Sequence, residues 1–204
     1  MIEEIKKTLN FYDRHARELA LKYRRSTPKE LHEFILKTLP DKNCKILEIG
    51  FGAGREINFL LNNGFKIWGV DGSREFVKMA RKNFPEISNK LFLGYLPNLK
   101  LPNKYTKFFD AVLSIAVLMH IPKNFHETTA KNIAKYLKPG GILILSYCIN
   151  ARNNEERFFE VLTPAEVQKA FSNAGFKKFN QIVSNDAQGR NLQWITEAYK
   201  LIEG

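Results

Sequence analysis

The stretch Lys45-Ile46-Leu47-Glu48-Ile49-Gly50-Phe51-Gly52-Ala53-Gly54-Arg55-Glu56 holds the densest chemical information in the chain. Ile46, Leu47 and Ile49 read as a buried strand, which stops at three glycines spaced two apart. An amphipathic helix then continues from Arg55 to Leu61. Strand, glycine turn and helix in this order let backbone N–H groups approach a bound cofactor closely. Asp71 follows the apolar run Ile67-Trp68-Gly69-Val70, and an acid there can accept both hydroxyls of a ribose.

A nicotinamide dinucleotide and S-adenosylmethionine both suit a glycine turn followed by such an acid. The dinucleotide fingerprint wants glycine three residues after Gly52, where helix, strand and pyrophosphate pack tightly. Arg55 stands there instead. Glu48 would meet no cation in a dinucleotide, whereas S-adenosylmethionine presents an α-ammonium and a sulfonium that a carboxylate stabilises. The residues therefore point to S-adenosylmethionine, leaving S-adenosylhomocysteine as product. Further candidates at strand ends are Tyr95-Leu96 and Ser114, because ligands of open α/β sheets gather at the carboxyl ends of strands. His120, in Leu118-Met119-His120-Ile121-Pro122, is either a general base for an acceptor that loses a proton or a locally bonded histidine. His15, His32 and His126 fall in helical segments and read as surface or packing residues.

The elements that must position these residues follow from periodicity. Ile2 to Tyr23 is an amphipathic helix. A second helix opens at Thr27-Pro28-Lys29-Glu30, with Thr27 as cap, Pro28 at the first helical position and Glu30 closing a capping box, and Pro40 ends it. Strand 45–49 leads to a helix from about Ala53 to Asn63, with Gly64 just past its end. Strand Lys66 to Val70 leads to a helix capped by Ser73 and running to about Asn83. A short strand near Leu91–Leu93 and a strand from Phe109 to Ser114 come next, then a helix from Pro122 to Leu137. Lys138-Pro139-Gly140-Gly141 turns into a strand from Ile142 to Tyr147.

After a polar loop, Thr163-Pro164-Ala165-Glu166 is a second capping box opening a helix that stops at Gly175. Strands of about 177–183 and 193–200 close the chain as a hairpin through a loop from Ser184 to Asn191, placing an antiparallel strand at one edge. The alternation predicts a mainly parallel sheet with helices on both faces. One domain spans 1–204, with helices over 1–40 and a cofactor-binding core over 45–200.

Four motifs in this order resemble the class I S-adenosylmethionine-dependent methyltransferase superfamily from about Lys45 to Tyr199. They are Glu48 to Gly54, Val70-Asp71-Gly72-Ser73, Phe109 to Ser114, and Leu137-Lys138-Pro139-Gly140-Gly141 with the strand that follows. The resemblance implies a Rossmann-like α/β fold whose seven-stranded, mainly parallel sheet has an antiparallel last strand. It implies that Glu48, Gly50, Phe51, Gly52 and Gly54 line the methionine part, that Asp71 holds the ribose, and that Gly72 lies beside the adenine with Leu96 and Ser114 closing the pocket. Many members carry an acid near the position of Tyr95, which this chain lacks. The two N-terminal helices would form a lid as in small-molecule members, with Tyr12 and Tyr23 either lid residues or helix residues facing core.

An oxygen or nitrogen of a small-molecule acceptor is the leading methyl target. A tRNA or rRNA methyltransferase and a catalytically silent S-adenosylmethionine-binding protein are the alternatives. The Asn/Asp-Pro-Pro-Tyr motif of enzymes that methylate exocyclic amines is absent after the fourth strand, where Ser114-Ile115-Ala116-Val117 stands. Cys148 resembles the nucleophile of RNA cytosine-5 methyltransferases only superficially, since the acid with Pro-Cys that they need is missing, and it reads as a small buried thiol. Asp186, Arg190 and Trp194 are an acceptor-recognition patch or an ordinary hairpin loop.

Composition bounds the rest. The net charge of +11 would suit nucleic acid, but the excess is scattered lysine rather than a cluster that tracks phosphates. Cys44 and Cys148 have neither a disulfide framework nor a metal-ligand spacing. With no membrane-span length and no signal-peptide pattern, the expected location is the cytoplasm.

Overall fold

The computed structural model describes residues 2–24, 26–152 and 156–202. Six α-helices and seven strands organise them: α1 (Glu3–Arg24), α2 (Lys29–Thr38), β1 (Lys45–Ile49), α3 (Arg55–Asn62), β2 (Lys66–Asp71), α4 (Arg74–Asn83), β3 (Leu91–Leu93), β4 (Phe109–Ile115), α5 (His126–Ala134), β5 (Leu137–Cys148), α6 (Pro164–Ser172), β6 (Phe176–Asn185) and β7 (Gln193–Leu201). The strands form one sheet in the order β3-β2-β1-β4-β5-β7-β6. β3, β2, β1, β4 and β5 run parallel, and β7 is antiparallel to both β5 and β6. The antiparallel last strand thus lies inside the sheet, with β6 at the edge, which corrects the expectation of an antiparallel edge strand. Seated between β5 and β6, β7 pairs along both of its sides.

Successive side chains of a strand face opposite ways, so β1 serves two cores. Leu47 and Ile49 join the cluster under α5 and α6, with Ala130, Ile133, Val167 and Phe171. Ile46 joins the cluster under α1 to α4, with Ala16, Phe34, Ile57 and Phe76. The strand order reverses direction between β1 and β4, and such a reversal opens a crevice at the strands' carboxyl ends.

Local capping chemistry sets several boundaries. Ser73 accepts a hydrogen bond from the N–H of Phe76 at 3.2 Å and starts α4. Thr163 and Glu166 form the reciprocal capping box of α6. The box predicted at Thr27 and Glu30 does not form. Pro28, at φ −79° and ψ 79°, is the N-cap and is not yet helical, so α2 begins at Lys29 and Thr27 lies one residue too far out. α3 likewise begins at Arg55 rather than Ala53, because Gly54 holds a left-handed conformation at the N-cap. A 3₁₀ turn at Lys123–Phe125 precedes α5, which ends at Ala134, short of Leu137. Leu137 already pairs with Phe109, and Lys138 to Gly141 bulge out of β5 before pairing resumes at Ile142. No helix among the described residues is long and apolar enough to cross a membrane.

Candidate functional site

A cavity of about 270 Å³ opens at the carboxyl ends of β1, β2 and β4, with α1 across it. Gly50, Phe51, Gly52, Asp71, Gly72, Leu96 and His120 all line it. Glu48, Gly54 and Ser114 stand off its wall. Ser114 is buried in β4 opposite Leu145. Gly54 lies where an added Cβ would meet the Phe84 ring at 2.6 Å.

Gly52 has φ +53°, and a Cβ built on it meets nothing within 4 Å. Backbone in this region disfavours residues with a Cβ, and here the missing side chain leaves open space on the cavity wall. Asp71 locks the turn from below. Its Oδ2 accepts from the Gly52 N–H at 2.7 Å and its Oδ1 from the Ser73 N–H at 2.8 Å. Each carboxylate oxygen has a second lone pair, so the group keeps capacity for hydroxyl donors in the cavity. Burial pushes the Asp71 carboxyl up to about 6, although the Ser73 and Gly52 N–H groups pull it back.

Glu48 is 1% exposed and its Oε2 has no hydrogen-bond partner among the described residues. Burial, then the negative charge of Glu56, holds its carboxyl well above the usual carboxylate range. Glu56 goes the other way despite its burial, because Arg55 Nε donates to its Oε1 at 2.6 Å. Burial thus favours the neutral form of Glu48, while Arg55 favours the anion of Glu56. A buried acid with one oxygen unpaired among the described residues, beside an open glycine turn and a second carboxylate, suits a ligand carrying an ammonium group and ribose hydroxyls.

Across the cavity stand residues from distant segments. His120 follows β4, and Ala116 before it holds φ +60°, a conformation uncommon for a residue with a Cβ. Tyr12 of α1 meets His120, with Tyr12 Oη 3.1 Å from His120 Nε2. Arg157, 9% exposed, donates from Nη1 to Tyr12 Oη at 2.9 Å. Phe158 N–H donates to Thr8 Oγ1 at 3.1 Å, tying the same segment to α1. On the other side of α1, Ser73 Oγ donates to Asp13 Oδ1 at 2.6 Å.

Sequence reasoning did not find Arg157 or the left-handed Ala116. Both owe their place to tertiary contacts, and Arg157 lies in what reads as a plain polar loop. Asp186, Arg190 and Trp194 come together and border the cavity. Arg190 donates from Nε and Nη2 to the Asp186 carboxylate at 2.9 and 2.6 Å, and Trp194 Nε1 donates to Asp186 Oδ1 at 3.0 Å. Asp186 is thereby spent on its own hairpin, while Arg190 and Trp194 remain on the wall. Tyr23 also lines the cavity. His126 is buried and bonds the Ile121 carbonyl, while His32 stacks on Phe59. Cys148 is buried and its thiol is pushed up by that burial.

Comparison with known proteins bears on the same region. The family described as "Methyltransferase domain" matches residues 47–145. A ubiquinone biosynthesis O-methyltransferase of Pelagibacter ubique is 30% identical over 107 residues, covering 52% of this chain and 43% of that protein. The match thus spans less than half the length of this curated relative. An uncharacterized methyltransferase of Oceanobacillus iheyensis is 25% identical over 186 residues, covering 83% of each chain. Among solved structures, the Burkholderia thailandensis 1,6-didemethyltoxoflavin-N1-methyltransferase, bound to 1,6-didemethyltoxoflavin and S-adenosylhomocysteine, superposes with a TM-score of 0.78 at 16% identity. That superposition covers 98% of this chain and 90% of the other. The matched stretch runs from β1 into β5 and contains the glycine turn, Asp71 and the strand that leads to His120. With this sheet order and the cavity at its carboxyl edge, the methyltransferase-domain match over residues 47–145 supports the class I S-adenosylmethionine-dependent methyltransferase superfamily.

Proposed function

We propose that this protein transfers a methyl group to an oxygen or nitrogen of a small-molecule acceptor. The observation that carries the reading is the cavity itself, which has the glycine turn and Asp71 on one wall and α1 across it. A lid helix laid over the reacting space favours a compact acceptor over a polymer. When bound, S-adenosylmethionine supplies an electrophilic methyl group on a sulfonium that departs as a neutral thioether.

In this reading Gly50, Phe51 and Gly52 cradle the methionine part, with Gly54 behind them and Glu48 supplying a carboxylate to the α-ammonium. Asp71 accepts the ribose hydroxyls. Gly72, Leu96 and the Ser114 segment close around the adenine, with backbone groups and apolar packing in place of an acid near Tyr95. Methyl transfer asks mainly for in-line positioning and exclusion of water. The lining is well suited to both, with Leu9, Met119 and Ile121 among its apolar members.

Calorimetry with S-adenosylhomocysteine and with NAD tests the assignment. Binding of the first is expected, and binding of NAD alone ends the reading. The proton count adds a second criterion. Burial raises the Glu48 carboxyl well above the usual carboxylate range in the free protein, and an arriving ammonium favours its ionised form, so association draws proton off it. Titrations in buffers of differing ionisation heat should show net proton release on binding. Glu48→Gln should remove that release and weaken binding about tenfold. Release unchanged in the variant would take Glu48 out of the site.

A further inference from the structure

We propose that Tyr12 and His120 form a proton relay that deprotonates an acidic hydroxyl, a phenol or an enol, on the acceptor. The proposal rests on the methyl-transfer reading above and names its acceptor class. It also changes the part assigned to His120, which acts through Tyr12 rather than on the acceptor directly.

Three segments far apart in the chain converge here: α1, the turn after β4, and the stretch before α6. His120 Nδ1 lies 2.8 Å from the Phe158 carbonyl oxygen. A carbonyl only accepts, so Nδ1 carries the proton of the neutral ring and Nε2 is left with its lone pair. That lone pair faces Tyr12 Oη at 3.1 Å. Tyr12 must therefore donate to His120. Arg157 Nη1 in turn donates to Tyr12 Oη at 2.9 Å, which sets the direction of the whole chain. A phenolic oxygen has two lone pairs, and Arg157 uses one. The second can receive a donor from the cavity that Tyr12 and His120 both line.

The step balances without another reactant. The acceptor's hydroxyl proton passes to Tyr12 Oη as the proton of Tyr12 passes to His120 Nε2. Tyr12 ends as it began, imidazole becomes imidazolium, and the acceptor oxygen keeps the electron pair with which it attacks the methyl group. Charge separation in a buried place is costly, and the Arg157 guanidinium, donating to Tyr12 Oη, stabilises the negative charge that builds on the oxygen side. The guanidinium carbon sits 5.3 Å from the centre of the Tyr12 ring and 4.9 Å from that of Phe11.

The relay selects its substrate by acidity. An imidazole, whose ordinary pKa is about 6.5, can assist loss of the proton from a phenol near 10 as the oxygen attacks, whereas an aliphatic alcohol lies far beyond its reach. A neutral amine already offers a lone pair and needs no base to attack. Tyr12 is not itself a standing phenolate, because burial pushes its hydroxyl further up. It hands a proton along and does not lose one. Tyr12 is then the residue that touches the acceptor, His120 takes up the proton through it, and Arg157 positions it.

The test uses the protein saturated with S-adenosylhomocysteine and 4-nitrophenol as probe, at a pH where the free probe is neutral. The bound probe should show the phenolate absorption band. Tyr12→Phe and His120→Asn should bind the probe and lose the band. Histidine nitrogen NMR of the wild type provides a measurement free of variants, and it should find His120 protonated at Nδ1. A probe bound as the neutral phenol, a probe that does not bind, a band that survives in both variants, or the opposite tautomer each overturns the relay. S-adenosylhomocysteine affinity is measured on every protein. Its absence in the wild type defeats the methyl-transfer reading, while its presence with no phenolate band defeats only the relay.

Discussion

Alanine at position 71 lowers the affinity for S-adenosylhomocysteine by about 3 kcal/mol, roughly a hundredfold. Two losses combine. A hydrogen bond to a charged group is worth about 1.5–3 kcal/mol, and the proposed ribose contacts are of that kind. The second loss is internal. Asp71 holds the Gly52 N–H and the Ser73 N–H together at 2.7 and 2.8 Å, so removing it frees the glycine turn and the start of α4 at once. Asp71→Asn separates the two losses, since it keeps an acceptor oxygen for one N–H and loses the charge.

The pH dependence has a definite sign. In the free protein the Asp71 carboxyl titrates at about 6, above its ordinary range. Ribose hydroxyls donate to the ionised form, so binding pulls that pKa down. The Asp71 contribution to affinity is then complete well above pH 6 and declines as pH falls through that value. Calorimetry across this window should show the decline in the wild type and its absence in Asp71→Asn. A wild-type affinity that stays level there, or an alanine variant that binds normally, would place the ribose elsewhere.

What could be read from the chain was local chemistry. Ser73 caps α4, and Thr163 with Glu166 boxes α6, because capping needs only the residues of one turn. The glycine turn and Asp71 were legible as a pair because parallel pairing of β1 with β2, Glu48 opposite Gly69, puts the ends of both strands side by side. Thr27 misled because a capping box also depends on backbone angles at Pro28, which lie outside the helical region. The place of β7 between β5 and β6 was not legible, since a hairpin pattern does not say which of its strands the sheet takes in. Arg157 was invisible for a related reason. Its partners Tyr12 and Phe11 lie about 145 residues away in sequence and come to it only when α1 packs across the carboxyl ends of the strands.

The glycine turn is itself open to a sharper test. Gly50→Ala should destabilise the fold by about 3 kcal/mol, from two causes that a second substitution separates. Gly50 sits at φ +76°, where a Cβ costs roughly 1–2 kcal/mol. The new Cβ would also stand 2.3 Å from Val117 Cγ2. Forcing such an overlap typically costs about 1–3 kcal/mol. The turn has little room to yield, because the Gly50 N–H donates to the Val70 carbonyl at 2.7 Å. Val117 is β-branched, so turning its side chain moves another methyl into the space the first one leaves. Val117→Ala removes the obstructing methyls and leaves the backbone conformation as it was. The double variant should therefore recover the steric part of the loss and keep the conformational part. Denaturant unfolding of the wild type, both single variants and the double variant measures the coupling directly. A coupling of about 1–2 kcal/mol in the favourable direction is expected. Strict additivity would mean that the end of β1 yields to make room, and the turn would then be too soft to hold its N–H groups in place for a cofactor.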